Sequence, residues 1–289
     1  MEDKLLVVLG PTASGKTRFA VRLAALCSGE ILSADSRQVY RGMDIGTGKD
    51  LDDYMCGGKQ IPYHLIDVAA AGERYNVYRY VHDFFEAYSD VKGRGRIPIL
   101  CGGSGMYLEA ICRGFNLPEV PENEDLRKDC ADMSHDELIA RLQCYGPLHN
   151  STDIQSRKRL IRAIEIAEWK TGASASCTDY PKIDPFIIGL YLSAEERRAR
   201  IDRRLEDRLQ NGMVEEAERL MKEGLTAEEM MYYGLEYKYL ALHLTGSLSF
   251  EAMKEALRIA IHQFAKRQMT WFRGMERRGL HIHWIDATN

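Results

Sequence analysis

The sequence predicts an α/β protein built on a parallel sheet with helices on both faces. Short runs rich in aliphatic residues alternate with stretches in which apolar residues recur at helical spacing, and this alternation is typical of successive βαβ units. The predicted strands lie at 5–9, 30–34, 64–68 and 97–101, with helices near 16–27 and 76–91. A third observation is the glycine-rich loop between the first strand and the first helix.

This loop matches the phosphate-binding pattern G-x-x-x-x-G-K-[ST] at every position. Its residues are Gly10, Pro11, Thr12, Ala13, Ser14, Gly15, Lys16 and Thr17. Such glycines let backbone N–H groups turn towards a phosphate, and the start of the helix adds its positive dipole end. Lys16 adds a charge, and Thr17 offers a hydroxyl to Mg²⁺. The core is therefore expected to be P-loop NTPase-like, the alternative being a merely structural glycine-rich turn.

The pattern changes after residue 113. Residues 114–150 contain three prolines and mixed charge without a strand-like run, which predicts a small, mostly helical insertion. We therefore expect a core domain made of residues 1–113 and 151–289, interrupted by the 114–150 insertion.

The later elements return to the core. Further predicted elements are a helix over 153–170, a buried strand over 186–192 that rejoins the sheet, and a final strand over 281–286. Ser193 followed by Glu196 predicts a capping box that opens a long helix. From there the chain is expected to be mostly helical to about residue 274.

Composition excludes several classes of protein. The chain is 45% hydrophobic and 28% charged, so collagen-like and wholly disordered proteins are excluded. The longest apolar stretch, 97–108, is shorter than the roughly 20 residues that span a membrane, and the acidic start does not resemble a signal peptide. Seven cysteines without a CxxC pair argue against a disulfide framework or a cysteine zinc site. We expect a cytoplasmic protein with reduced thiols and no membrane partner.

Polar residues at strand ends are candidate catalytic groups, because ligands of parallel sheets collect at the carboxyl ends of strands. Asp35 ends the second strand beside the phosphate loop, unless it caps a following helix. Ser104 follows the fourth strand in a glycine-rich turn, with a plain helix cap as the alternative. That strand ends in Cys101, not in the Asp with which P-loop NTPases hold Mg²⁺. Asp67 could substitute, or it could be a solvated strand-end carboxylate.

Basic residues gather locally although the net charge of the chain is −4. One group is Arg157, Lys158, Arg159 and Arg162; the other is Lys266, Arg267, Arg273, Arg277 and Arg278, interleaved with Phe264, Trp271 and Phe272. Arginines beside aromatic rings suit phosphate contacts and stacking on unpaired bases. The alternative is an ordinary solvated face.

Two further arginines are candidates for the phosphate loop. Arg200 and Arg204 lie one helical turn apart and could point back at the loop. They could instead form surface ion pairs with nearby acids. Those acids are Glu196, Asp202, Glu206 and Asp207.

Five segments, in this order, resemble the motifs of the tRNA dimethylallyltransferase family, also called tRNA isopentenyltransferases, and the chain is similar to the bacterial type. They are residues 10–17, 33–47, 102–107, 159–165 and 265–273. The resemblance covers nearly the whole chain. The chain departs from the family pattern at 261–262, which reads Ile-His where the family usually has Thr-Arg. It also departs at 234–239, which reads GLEYKY in place of a Gly-Tyr-Lys-Glu-like segment.

The resemblance implies transfer of a dimethylallyl group from dimethylallyl diphosphate to N6 of adenosine 37, in tRNAs that read codons beginning with U. Lys16, Thr17 and Arg204 would hold the diphosphate with Mg²⁺ as cofactor, and Asp35 would take the N6 proton as general base. Ser104, where the family usually has Thr, would contact the leaving group. The tRNA contacts would come from Asp35, Ser36, Arg37, Gln38, Ser104, Arg127, Arg157, Lys158, Arg159, Arg162, Lys266, Arg267 and Arg273. The protein would act as a monomer, with tRNA and dimethylallyl diphosphate as its partners.

Three other functions remain open from the sequence. A related isopentenyltransferase acting on free adenine nucleotides would have little use for the basic groups. A small-molecule P-loop kinase would transfer the γ-phosphate of ATP. A non-enzymatic RNA-binding module gated by a nucleotide would show no turnover.

Overall fold

Strands and helices alternate in the computed structural model, which describes residues 3–115, 117–147, 156–172 and 180–288. The strands are β1 (Asp3–Leu9), β2 (Gly29–Ala34), β3 (Met55–Cys56), β4 (Lys59–Gln60), β5 (Tyr63–His64), β6 (Ile97–Gly102), β7 (Ile183–Tyr191) and β8 (Ile282–Asp286). The helices are α1 (Lys16–Cys27), α2 (Val77–Gly93), α3 (Gly105–Cys112), α4 (Glu124–Asp129), α5 (His135–Gln143), α6 (Arg157–Gly172), α7 (Ala194–Gln210), α8 (Met213–Lys222), α9 (Ala227–Met230), α10 (Leu235–Leu244) and α11 (Phe250–Arg277). Among these described helices, none is both long and apolar enough to cross a membrane.

Six of the strands form one parallel sheet in the order β5-β2-β6-β1-β7-β8. The register of the centre is fixed by Val7, which lies opposite Leu100 of β6 and Ile187 of β7. Val8 and Ile31 are buried in one cluster with side chains of α1. Apolar strands covered by helices are typical of a parallel α/β core. The predicted fold class is confirmed, as are the strands that rejoin the sheet as β7 and β8.

The order of the strands brings three connections to one edge of the sheet. β6 lies between β1 and β2, so the loops that leave the carboxyl ends of these three strands are neighbours. They are residues 10–15 after β1, the turn at 35–40 after β2, and 103–104 after β6. A ligand site is expected where the strand order reverses in such a sheet.

The third predicted strand is shorter than the sequence suggests. The apolar run at 64–68 predicts a strand, but β5 ends at His64, because Leu65 and Asp67 have positive φ values of 65° and 58°. Left-handed backbone in residues with a Cβ is costly and interrupts extended structure. The segment turns back instead, and Ala69 pairs with Tyr40 in an isolated parallel bridge.

A second compact unit comprises Asn116–Asp179, while the rest of the chain forms the first. Its described helices are α4, α5 and α6. Its apolar core consists of Leu126, Cys130, Leu138, Leu160 and Ile164. The sequence predicts that the insertion ends at residue 150, whereas α6 belongs to this unit, since its apolar face packs against α4 and α5. Residue 150 and the expected helix start at 153 lie outside the described residues.

The predicted capping box at the start of α7 is half formed. The Ser193 hydroxyl accepts a hydrogen bond from the Glu196 N–H at 3.1 Å. The Glu196 carboxylate does not return to the cap, because it binds Arg200 one turn further on at 2.5 Å. One orphan N–H of the helix start is thereby satisfied by a side chain.

Candidate active site

A cleft of about 1400 Å³ opens at the carboxyl edge of the sheet. Many residues that the sequence singles out line it, namely Thr12, Ala13, Gly15, Lys16, Thr17, Asp35, Ser36, Arg37, Gln38, Ser104, Arg204 and Arg267. Gly10, Pro11 and Ser14 belong to the same loop but do not line the cleft. The predicted convergence of the phosphate loop and the strand ends is therefore present in one cavity.

The phosphate loop is tied to the turn after β6 by a side chain of α11. Gln268 accepts a hydrogen bond from the Thr12 N–H and donates one to the Gly103 carbonyl, each at 2.9 Å. A Cβ on Gly103 would lie 2.5 Å from the amide nitrogen of Gln268, so only glycine permits this approach. Gln268 was not predicted as a site residue, although a polar residue between Ala265 and Phe272 on a buried helix face is a usable signal.

Lys16 lies in a part of the cleft where several charged side chains are close together. Burial lowers the pKa of its ammonium group, and the neighbouring charges of Arg204 and Arg208 lower it further, while Asp35 opposes the shift. Three cations thus crowd one region around the phosphate loop. A bound anion would offset both the repulsion among these three cations and the cost of removing them from water, so their arrangement suits a phosphate group.

Asp35 and Ser104 lie on the turns that follow β2 and β6, and both line the cleft. Asp35 Oδ1 accepts a hydrogen bond from the Arg37 N–H at 3.0 Å, and no helix follows this turn. Ser104 Oγ accepts from the Ser36 N–H at 2.9 Å and donates to Ser36 Oγ at 3.1 Å. Ser104 is the N-cap residue of α3, yet its side chain makes no cap bond. The second carboxylate oxygen of Asp35 makes no hydrogen bond to any described residue and is available to a ligand.

The two arginines that the sequence singles out on α7 both line the cleft, and each also binds an acid. Arg200 pairs with Glu196 at 2.5 Å. Arg204 binds the Asp50 carboxylate at 2.8 Å. Arg208, one turn beyond, also binds Asp50, at 3.4 Å, and was missed by the sequence analysis, although a third arginine at the same spacing was the available signal.

The loop that carries Asp50 is held by Lys49, whose side chain is fully buried. Its ammonium group donates to the Tyr40 carbonyl at 2.8 Å, to Asp44 at 2.6 Å and to Asp67 at 2.5 Å. Asp67 is about one-third exposed but does not end a strand, because β5 ends at His64. It does not line the cleft and is therefore not placed there as a metal ligand. Its role is to neutralise a buried lysine.

Glu216 of α8 anchors the same loop. One carboxylate oxygen accepts from the N–H groups of Asp44 and Ile45, and the other accepts from the Gly46 N–H, all at 2.9 Å. The Tyr237 hydroxyl adds a fourth bond at 2.6 Å. Because three N–H groups and one hydroxyl donate to this side chain, both of its terminal atoms must be hydrogen-bond acceptors, as the two oxygens of a carboxylate are.

Replacing Glu216 by Gln is expected to destabilise the protein by about 2–4 kcal/mol, because the new amide group would face N–H donors and leave buried groups unpaired. Urea denaturation measures the change. Glu215→Gln, on the exposed face of the same helix, is the control and should shift stability by about 0.5 kcal/mol or less. Equal stability of the two variants would contradict the anchoring role.

The basic group of the second unit is largely engaged within that unit. Arg127 binds the buried Glu165 at 2.7 Å, and Arg162 binds the other oxygen of Glu165 at 2.9 Å. Arg157 donates to backbone carbonyls, including that of Met133 at 2.5 Å. These contacts stabilise the helical unit, a role that the sequence analysis did not predict. Lys158 and Arg159 are exposed and pair with no described residue.

The basic group of α11 is exposed. The side chains of Lys266, Arg267 and Arg273 form no ion pair or hydrogen bond with any described residue, and the guanidinium of Arg267 lies 5.9 Å from the ring centre of Phe264. Phe272, which the sequence groups with the stacking aromatics, is instead fully buried. The surface therefore offers cations and Phe264 to a partner.

Comparison with known proteins identifies relatives of this chain. A family model described as IPP transferase matches residues 38–275, and one described as isopentenyl transferase matches residues 3–68. A tRNA dimethylallyltransferase 1 of Parabacteroides distasonis is 56% identical, over 99% of this chain and 93% of that protein. The tRNA isopentenylpyrophosphate transferase of Bacillus halodurans is 31% identical, with a TM-score of 0.71 over 99% of this chain and 91% of its own. A eukaryotic dimethylallyltransferase acting on tRNA, 24% identical with a TM-score of 0.80 over 100% of this chain and 75% of its own, shares the fold.

Proposed function

This chain belongs to the tRNA dimethylallyltransferase family, and on that premise we propose that it transfers a dimethylallyl group from dimethylallyl diphosphate to N6 of adenosine 37, in tRNAs that read codons beginning with U. The products are N6-(dimethylallyl)adenosine and diphosphate. The observation that carries the proposal is the cleft in which the phosphate loop and the free oxygen of Asp35 meet. A phosphate site beside a carboxylate suits departure of an intact diphosphate with removal of a proton from an amine.

The donor's diphosphate would lie on the phosphate loop. Backbone N–H groups of the loop, Lys16 and Arg204 would bind its oxygens and stabilise the charge that develops as the carbon–oxygen bond breaks. The electron pair of that bond leaves with the diphosphate. No water has to be activated in this reaction. β6 ends in Cys101 and Gly102, without the strand-end Asp that P-loop NTPases use to hold Mg²⁺ for γ-phosphate cleavage.

Mg²⁺ fits the oxygen donors of this cleft. The Thr17 hydroxyl lines the cleft and makes no hydrogen bond to any described residue, and hydroxyl, carboxylate and phosphate oxygens are the ligands Mg²⁺ prefers. Thr17 would hold the ion together with the donor's phosphates. When bound, the ion would supply positive charge to the leaving group.

Asp35 would act as the general base. The lone pair of N6 forms the new carbon–nitrogen bond, and the free oxygen of Asp35 accepts the N6 proton. The Arg37 N–H bond to Oδ1 orients the carboxylate for this step. Ser104, held through Ser36, would contact the leaving group. The target base must leave its stack to reach such a site.

The tRNA would be held by groups around the cleft mouth and on the helical unit. Ser36, Arg37 and Gln38 would lie beside the flipped base, because all three line the cleft. Phosphate contacts are assigned to five exposed cations whose side chains pair with no described residue: Lys158, Arg159, Lys266, Arg267 and Arg273. A cytoplasmic location and a monomeric enzyme complete the proposal.

Transfer of radiolabel tests the reaction directly. Labelled dimethylallyl diphosphate is expected to modify tRNA, and not AMP, in the presence of Mg²⁺. Label transfer to AMP alone would favour an enzyme for free adenine nucleotides. Phosphate transfer from ATP would favour a kinase, and binding without turnover would contradict an enzymatic role.

Replacing both Lys266 and Arg267 by Ala is expected to weaken tRNA binding and to reduce the slope of log affinity against log salt by about 2 units, because two phosphate contacts are lost. Binding of dimethylallyl diphosphate should not change, since the donor lies on the phosphate loop. tRNA titrations at two salt concentrations, with the melting temperature, measure the effect.

The matched control removes two cations from the same helix. Lys254 and Arg258 pair with Glu206 and Glu255, so replacing both by Ala changes the charge equally but removes no free cation. Unchanged tRNA affinity in a well-folded Lys266→Ala, Arg267→Ala variant would remove this surface from the tRNA site.

A further inference from the structure

One carboxylate of the cleft binds two arginines at once. Oδ2 of Asp50 lies 2.8 Å from Arg204 Nη2 and 3.4 Å from Arg208 Nη2. Although burial disfavours ionisation of Asp50, the two arginines hold the pKa of its carboxyl below its usual range. Asp50 is thus a bound anion in a site where three cations meet.

Arg208 lies beside the phosphate loop and is not a surface residue. Its side chain is only 14% exposed, and it borders a small recess together with Arg204 and the loop residues Thr12 and Ala13. Burial and the neighbouring Arg204 lower the pKa of Arg208 to about 10. Its charge also depresses the pKa of Lys16, so the two cations lie within electrostatic reach of each other.

The backbone before Asp50 is built to approach the arginines closely. Gly48 has a φ of 71°, and a Cβ there would lie 2.1 Å from Arg208 Nη2 and 2.6 Å from Arg204 Nη2. The Gly48 carbonyl also accepts from Arg204 at 3.3 Å. Residues 48–50 therefore cover the arginine pair as a unit, with the Asp50 side chain half exposed at its edge.

A carboxylate that binds phosphate-site cations competes with a phosphate. A diphosphate carries more negative charge than one carboxylate and can bind Lys16 and both arginines together, so it outcompetes Asp50. We propose, on the basis of the proposed function, that Arg208 is a second arginine ligand of the donor's diphosphate. Asp50 is then the internal anion that the diphosphate displaces from Arg204 and Arg208. After the reaction, Asp50 competes with the product diphosphate for the same two arginines and thereby favours its release.

Binding of inorganic pyrophosphate with Mg²⁺, measured by calorimetry on the full chain, tests the proposal without tRNA or turnover. Asp50→Asn keeps the size of the side chain but removes the competing charge, and it is expected to tighten binding by about threefold. Arg208→Gln is expected to weaken binding by about tenfold. The gain from Asp50→Asn should shrink in the Arg208→Gln background, because the two residues act on each other.

Two controls separate this role from a general loss of charge or fold. Arg198→Gln on the same helix and Asp52→Asn, two residues beyond Asp50, change charge outside the cleft and should leave pyrophosphate affinity unaltered. Arg208→Lys retains a cation and should bind more tightly than Arg208→Gln, even if both melt earlier.

Equal affinity of the Arg208→Gln and Arg198→Gln variants would overturn the role of Arg208. Unchanged or weaker binding by Asp50→Asn would overturn displacement. Failure of the wild-type protein to modify tRNA would instead overturn the proposed function, and that outcome is read in a separate assay.

Discussion

Replacing Asp35 by Asn is expected to reduce kcat by about 10² to 10⁴, the usual contribution of a general base. The amide keeps the size of the carboxylate and can still accept the Arg37 N–H at its oxygen. Its NH₂ group cannot take the proton from N6. Because the turn is preserved, tRNA affinity should stay within a few fold. Single-turnover transfer and equilibrium tRNA binding measure the two quantities separately.

The control for this variant is Asp53→Asn, which also removes a carboxylate from the cleft wall. Asp53 pairs with Arg18, whose side chain is 75% exposed, so the loss should have little effect on turnover. A well-folded Asp35→Asn enzyme that keeps a third of the wild-type kcat would exclude Asp35 as the base.

The core could be predicted because its signals are local. Apolar runs and amphipathic stretches give β1, α1, β2, α2 and β6 within a few residues, and the phosphate loop marks the carboxyl edge of the sheet. β5 was predicted too long because the apolar run does not report the positive φ values of Leu65 and Asp67, and Asp67 pairs with Lys49, 18 positions earlier in the chain. Whether α6 belongs to the first or to the second unit likewise depends on tertiary packing, which helical periodicity does not predict.

Site residues that directly follow a strand could be predicted from the sequence. Site residues on helices that are distant in the sequence and meet only in the fold could not. Asp35 and Ser104 follow from their positions after β2 and β6. Gln268, Asp50 and Arg208 come from elements far apart in sequence. Asp50 meets Arg208 because residues 41–50 pack on α7 and α8, and Gln268 reaches the phosphate loop from α11. A cluster of basic residues in a sequence does not show whether its side chains bind an external partner or groups of their own protein, until their contacts are known. Arg157 and Arg162 bind groups of their own unit, whereas Lys266 and Arg267 pair with no described residue.

Lys16→Ala should lower kcat/KM for dimethylallyl diphosphate by about 10² to 10³, because one preorganised cation is removed from the leaving group. Much of the loss should appear as a raised KM for the donor. Arg22→Ala removes an exposed cation of the same helix, outside the cleft, and is the control. Steady-state kinetics with tRNA at saturation measure the difference, and a Lys16→Ala enzyme with wild-type kcat/KM would exclude Lys16 from the donor site.

The pH dependence of donor affinity gives the same lysine a second signature. Burial lowers the pKa of Lys16 from its ordinary value of 10.5, and a bound diphosphate would raise it again, since an opposite charge favours the ammonium form. Binding therefore takes up a proton in the interval between the two pKa values. Affinity for dimethylallyl diphosphate is expected to fall as pH rises through this interval, and Lys16→Ala should lack that fall. Calorimetric titrations in two buffers of different ionisation enthalpy measure the proton uptake, and equal uptake by wild type and Lys16→Ala would assign the proton to another group.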